Sequence, residues 1–206
     1  MSIPFFRTAR LGTLLAGVTL LGLFTWGTLE SKTPDDRFVI KTTMGDITVQ
    51  LDRAKAPLST ENFARYANDG FYDSTLFHRV MSNFMIQGGG FTADMKQKTT
   101  RSPIANEAPN GLGSTRGTIA MARTNDINSA TSQFFINVVD NDFLNFRDST
   151  DTRSFGYAVF GKVEAGMDVV DRIRAVKTGS VPAEGGYPMK DVPLSPVMIL
   201  SVKPAP

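Results

Sequence analysis

Arg79, Gln87 and Gln133, set among Phe and Met, are the residues of this chain best placed to do chemistry. The first segment is Phe77-His78-Arg79-Val80-Met81-Ser82-Asn83-Phe84-Met85-Ile86-Gln87-Gly88-Gly89. The second, Ser132-Gln133-Phe134-Phe135-Ile136-Asn137, again places Gln beside Phe. In a strand, Gln133 and Phe135 share one face, while His78 and Arg79 point to opposite faces. A surface offering Arg, Gln, Phe and Met makes an apolar pocket edged by hydrogen-bond donors. Taken alone, Phe and Met at strand spacing are core material more often than pocket lining.

Other chemistries are excluded by composition. The 206 residues contain no Cys and a single His. Disulfides, thiolate nucleophiles, Fe–S clusters and Cys-ligated zinc are therefore impossible, as are multi-His metal sites. No Ser lies in a Gly-x-Ser-x-Gly elbow. Gly111-Leu112-Gly113 with Gly117 misses the dinucleotide spacing and precedes a strand, not a helix. His78 lies in the apolar run LFHRVM, where a hydrogen-bonded structural histidine is expected. The 22 Lys and Arg against 20 Asp and Glu leave a net charge of +2, without the clustered basic face of a nucleic-acid binder. What remains is a catalyst working without soft ligands, or no catalyst.

These residues need a scaffold, and its elements are legible. The 41% apolar and 20% charged composition is that of a folded chain. Strands are expected at 37–42, 46–51, 75–81, 84–87, 118–123, 132–138, 157–163 and 197–203, the first two as a hairpin through Met44-Gly45-Asp46. One helix starts near Pro57 with Ser59 or Thr60, buries Phe63 and Tyr66-Ala67, and ends at Gly70. A second covers about Met167 to Ala175, with Val169, Val170 and Ile173 on one face. The fold class is mainly β, a closed antiparallel barrel capped by two α-helices. Residues 88–117 and 140–156 read as long loops, which in a small domain are often functional.

Residues 1–30 form a separate object from the domain at 31–206. Arg7 and Arg10 precede an uncharged run, Leu11 to Leu29. At 1.5 Å per residue this apolar helix is about 28 Å long, enough for one hydrocarbon core. It fits a membrane anchor or a cleaved signal peptide, with a buried core helix as the plain alternative. Thr25-Trp26-Gly27 is a poor cleavage site. Both membrane readings export the remainder.

The chain resembles the cyclophilins, a family of peptidyl-prolyl cis–trans isomerases. The matching stretches are Phe77-His78-Arg79, Phe84 to Gly89, Gly117 to Ala122, Thr131 to Ile136 and Phe160-Gly161-Lys162-Val163. They fall in family order and cover about Phe38 to Lys203, with 117–138 and 155–167 nearest to bacterial exported members. The resemblance implies an eight-stranded antiparallel barrel with two capping helices, no cofactor and no metal. It implies action on proline-containing polypeptides during folding of exported proteins; the apolar N-terminal run puts this in the periplasm or cell envelope, and nothing demands more than a monomer. It makes Arg79 the catalytic guanidinium. Phe84, Met85, Phe135 and Leu144 would form the proline pocket, with Gln87 holding Arg79 and the substrate backbone. Ala122, Arg123 and Gln133 would line the groove.

Three positions depart from the family pattern. Phe143 stands where many eukaryotic members carry Trp, Tyr157 replaces a pocket His, and Arg123 replaces a groove Asn. Missing the indole N–H, the chain should bind cyclosporin weakly. Arg123 should favour acidic groups beside the isomerised bond. The loop 145–155 aligns poorly with the family pattern. A non-catalytic proline binder or an envelope scaffold on the same barrel are the rival functions; retention of Arg79, Phe84, Gln87 and Phe135 favours the enzyme.

Overall fold

The computed structural model describes residues 36–182 and 188–206; the apolar run at 11–29 lies outside them. Eight strands close into one antiparallel barrel: β1 (Arg37–Thr42), β2 (Gly45–Leu51), β3 (Thr75–Met81), β4 (Met85–Thr92), β5 (Thr118–Met121), β6 (Phe134–Asn137), β7 (Val159–Ala165) and, after a separate hairpin, β10 (Met198–Pro204). Around the barrel the order is β1-β10-β3-β4-β6-β5-β7-β2. The separate hairpin is β8 (Thr178–Val181) with β9 (Met189–Pro193). Two helices, α1 (Pro57–Asn68) and α2 (Met167–Arg174), pack on the barrel.

Alternation fills the interior. Ile40, Ile47, Val49, Ile86, Ile119, Ile136 and Phe160 are all fully or nearly fully buried in one cluster. Helix α1 drives Phe63 into it, with ring centroids 5.6 Å from Phe38, 5.5 Å from Phe134 and 5.6 Å from Phe160. Helix α2 adds Val169, Val170 and Ile173. Pro57 sits in the first turn of α1, where a missing N–H costs nothing. Two free N–H groups there are satisfied from 48 and 49 residues away. The Glu107 carboxylate accepts from the Ser59 N–H at 2.7 Å, from Leu58 N–H at 2.9 Å and from Ser59 Oγ at 2.6 Å. The N-cap position itself is Ala56, which has no side-chain cap, and Ser59 and Thr60 are buried inside the first turn.

The elements differ from expectation mainly at their ends. β4 continues through Gly88–Gly90 to Thr92, so the first long loop begins later than residue 88. These glycines are spacers rather than a turn. A Cβ on Gly90 would stand 2.5 Å from Gln133 Cγ, and one on Gly89, at φ 83°, 2.9 Å from the Phe134 and Tyr72 rings. The β8–β9 hairpin has no counterpart in the sequence reading, because its Gly- and Pro-rich stretch shows no alternation.

A bulge in β3 sets the phase of everything that follows. Phe77 pairs with Gly88, but Arg79 pairs with Gln87, so His78 is an extra residue. Phe77 and Val80 therefore both face the core, and Arg79 and Met81 turn outward.

Candidate active site

Strand pairing carries the outward face of Arg79 across the barrel wall. Arg79 lies opposite Gln87, Gln87 opposite Phe135, Phe135 opposite Ala120, and Ala120 opposite Val159. This row forms part of a second apolar cluster, outside the barrel core: Met85, Ala120, Phe135, Leu144 and Val159 are buried there, with Met81, Phe84, Ala122 and Tyr157 packed against them.

Over this cluster opens a cavity of about 300 Å³. It is lined by Arg79, Phe84, Met85, Gln87, Ala122, Arg123, Phe135, Phe143, Leu144 and Tyr157. Of the residues expected at the site, only Gln133 is absent from the lining. Its Oε1 instead accepts a hydrogen bond from Gln87 Nε2 at 2.9 Å, and the space for its stem is supplied by Gly90. Buried Met85, Phe135 and Leu144 make the floor. Arg79, with a side chain 41% exposed, stands at the rim. No residue of the lining is a carboxylate or imidazole.

Loops hold the rest. Phe84 precedes β4, and its carbonyl accepts from Asn141 Nδ2 at 2.9 Å and from the Val138 N–H at 3.1 Å. Its ring stacks on Phe143, 5.6 Å between centroids at 27°. Phe143 is 61% exposed and belongs to a 3₁₀ turn, Asp142–Leu144. The Leu144 carbonyl accepts the Tyr157 N–H at 3.0 Å, and the Tyr157 ring meets Phe135 edge-on at 5.7 Å.

Arg123 is anchored more firmly than a groove residue needs. Its Nε and Nη2 donate to the Gly156 carbonyl at 3.1 and 3.0 Å, Nη2 also to Thr152, and Nη1 to Thr124 at 2.9 Å. The loop that these bonds tie down closes on itself: Asp151 Oδ1 accepts from the N–H groups of Arg153 and Ser154.

Gln87 is placed beside Arg79 by the ladder, but its amide donates to Gln133, and Arg79 has other neighbours. Arg79 Nη2 lies 3.2 Å from Met81 Sδ, and Nε lies 3.9 Å from Asp191 Oδ2. Asp191, on β9, escaped the sequence reading, since no local pattern connects it to a residue so far away. His78 is buried as expected, against Phe91 at 4.6 Å. Its Nδ1, however, has no hydrogen-bond partner. Burial, with Arg79 adjacent, lowers its pKa to about 4, against an opposing backbone hydrogen bond to Leu76.

An arginine beside an apolar floor suits a reaction that needs a grip and a hydrogen bond but no covalent intermediate. Comparison with known proteins identifies the family. Residues 37–204 match the family described as cyclophilin type peptidyl-prolyl cis-trans isomerase/CLD. The chain is 50% identical over 190 residues to peptidyl-prolyl cis-trans isomerase A of Dickeya dadantii, covering 92% of this chain and 95% of that one. To peptidyl-prolyl cis-trans isomerase B of Escherichia coli it is 53% identical over 158 residues, 77% of this chain and 96% of that one. The fold is shared with a Cryptosporidium parvum cyclophilin solved with the dipeptide Ala-Pro, at TM-score 0.64 and 23% identity, over 82% of this chain and 99% of that one. A match spanning the whole barrel, with half or more of its residues shared with named isomerases, makes this chain a member of the cyclophilin-type peptidyl-prolyl cis-trans isomerases.

Proposed function

We propose that this isomerase works through Arg79 and serves the folding of exported proteins. An X–Pro amide resists rotation by about 18–20 kcal/mol because twisting breaks its resonance. Uncatalysed exchange takes tens of seconds or more and can limit folding. As the bond twists, the proline nitrogen regains a lone pair. The proline ring would sit on Met85, Phe135 and Leu144 with Phe84 beside it, and Arg79 would donate to that nitrogen. Gln87, with its Nε2 committed to Gln133, keeps Oε1 to accept from Arg79 or a substrate N–H. Ala122, Arg123 and Gln133 would flank the residues before proline, with Phe143 and Tyr157 at the mouth.

The placement of Arg79 at the rim of an apolar floor carries this reading. A guanidinium is permanently charged and rich in donors. A hydrogen bond from a charged donor is worth about 1.5–3 kcal/mol, or about 10- to 150-fold in rate when made only in the transition state. Arg79→Ala should therefore slow isomerisation of an X–Pro test peptide by at least about tenfold. Equal rates in wild type and variant would overturn the assignment.

Export rests on Arg7 and Arg10 before the uncharged Leu11–Leu29. It places the enzyme in the periplasm or cell envelope, with membrane contact only through residues 11–29 where these are retained. One copy supplies the whole cavity lining, so a monomer suffices. Cell fractionation tests this: full-length protein confined to the cytoplasm contradicts export.

A further inference from the structure

We infer that Asp191 is a positioning residue for Arg79, delivered by the β8–β9 hairpin. Its Oδ2 lies 3.9 Å from Arg79 Nε, beyond hydrogen-bond reach but close enough to bias the guanidinium by charge. Arg79's other polar neighbour, Met81 Sδ, is uncharged. Asp191 lines a second cavity of about 350 Å³, together with Met81, Phe84, Arg174 and Thr178, and does not line the first. The carboxylate thus approaches Arg79 from behind and leaves the donors over the apolar floor free for substrate. Arg174, in the same wall, is already paired with Asp171 at 2.8 Å.

The backbone supports this aim. Asp191 has φ 61°, one of three non-glycine residues with positive φ among the described residues. Asp and Asn enter that region more readily than other side chains. β9 reaches this geometry inside a hairpin whose register shifts between Gly179 and Val181. A strand residue held off the usual conformation, with its carboxylate beside the guanidinium, is a device for setting direction.

The inference rests on the proposed role of Arg79, and the test separates the two. Asp191→Asn keeps the backbone preference and removes the charge; Asp191→Gly keeps the conformation and removes the side chain. Isomerisation of an uncharged, blocked X–Pro peptide is followed at rising salt for wild type, both variants and Arg79→Ala. Both Asp191 variants should lose about two- to fivefold in kcat/KM at low salt, carried by kcat with KM unchanged. Wild type should fall towards them as salt screens the pair, while their own rates stay flat. Low-salt kcat equal to wild type in both variants, or a loss confined to KM, overturns the inference. If Arg79→Ala retains full activity, the assignment of Arg79 itself fails; if it is inactive and the Asp191 variants are normal, only the role of Asp191 fails.

Discussion

The Arg123 guanidinium lies over the Tyr157 ring, 4.4 Å from its centroid. Neither contact partner could be paired from sequence, yet together they close one side of the cavity. Arg123 donates to three backbone carbonyls, and among the described residues no carboxylate pairs with it. Its hydrogen bonds are spent on the loop, while its charge still faces the groove. Test peptides with an acidic residue before proline should be turned over up to about fivefold faster than basic ones, the scale of a solvent-exposed charge contact. Arg123→Gln should erase the difference; equal turnover of both peptides by wild type would remove the idea.

Phe143 presents a hydrocarbon ring on Phe84, with no N–H at that point of the mouth. Cyclosporin should therefore bind weakly. Phe143→Trp should strengthen binding by about three- to tenfold, the worth of one added hydrogen bond. A nanomolar dissociation constant for the wild type, measured by calorimetry, contradicts this.

Gly90 holds open the space that Gln133 fills. Adding a methyl group 2.5 Å from Gln133 Cγ forces that side chain aside and breaks its bond to Gln87. Gly90→Ala should cost about 1–3 kcal/mol of stability, as overpacking does. It should also lower kcat/KM, because Gln87 loses its partner. Wild-type thermal midpoint and rate together would refute the spacer role.

The buried ring of His78 makes stability depend on pH. Its folded pKa, about 4, lies below the unfolded value of 6.5, so the unfolded chain binds more protons between the two. Its contribution is intact above pH 6.5 and is lost as pH falls towards 4, about 3 kcal/mol at the full extent. Denaturant midpoints across this window should fall for wild type. His78→Gln should flatten that part of the curve; an identical slope in both proteins would exclude His78 as its source.

Much of this was legible in advance, and the limits have physical causes. β1 and β2 are written in alternation, because one face of each is buried and the other is not, whereas β6 is buried on both faces and reads only as a short apolar run. The site followed from family motifs within single segments. The hidden features join distant segments through space: Glu107 capping α1, Arg123 gripping Gly156, and Asp191 beside Arg79. Nothing local in the chain encodes such partners. The His78 bulge is hidden for a related reason. An extra residue in β3 is visible only against the register of β4, and pure alternation cannot show why Phe77 and Val80 share the interior.

The ring of eight strands pairs every barrel strand on both sides. An enzyme that handles unfolded chains works among extended segments seeking a strand to zip onto, and an open sheet would offer one. The closed barrel itself leaves no strand edge for a client to extend. On the proposed role, a client would be held at the pocket and released as its proline ring leaves, and the barrel would meet sticky, half-folded chains repeatedly without seeding their aggregation.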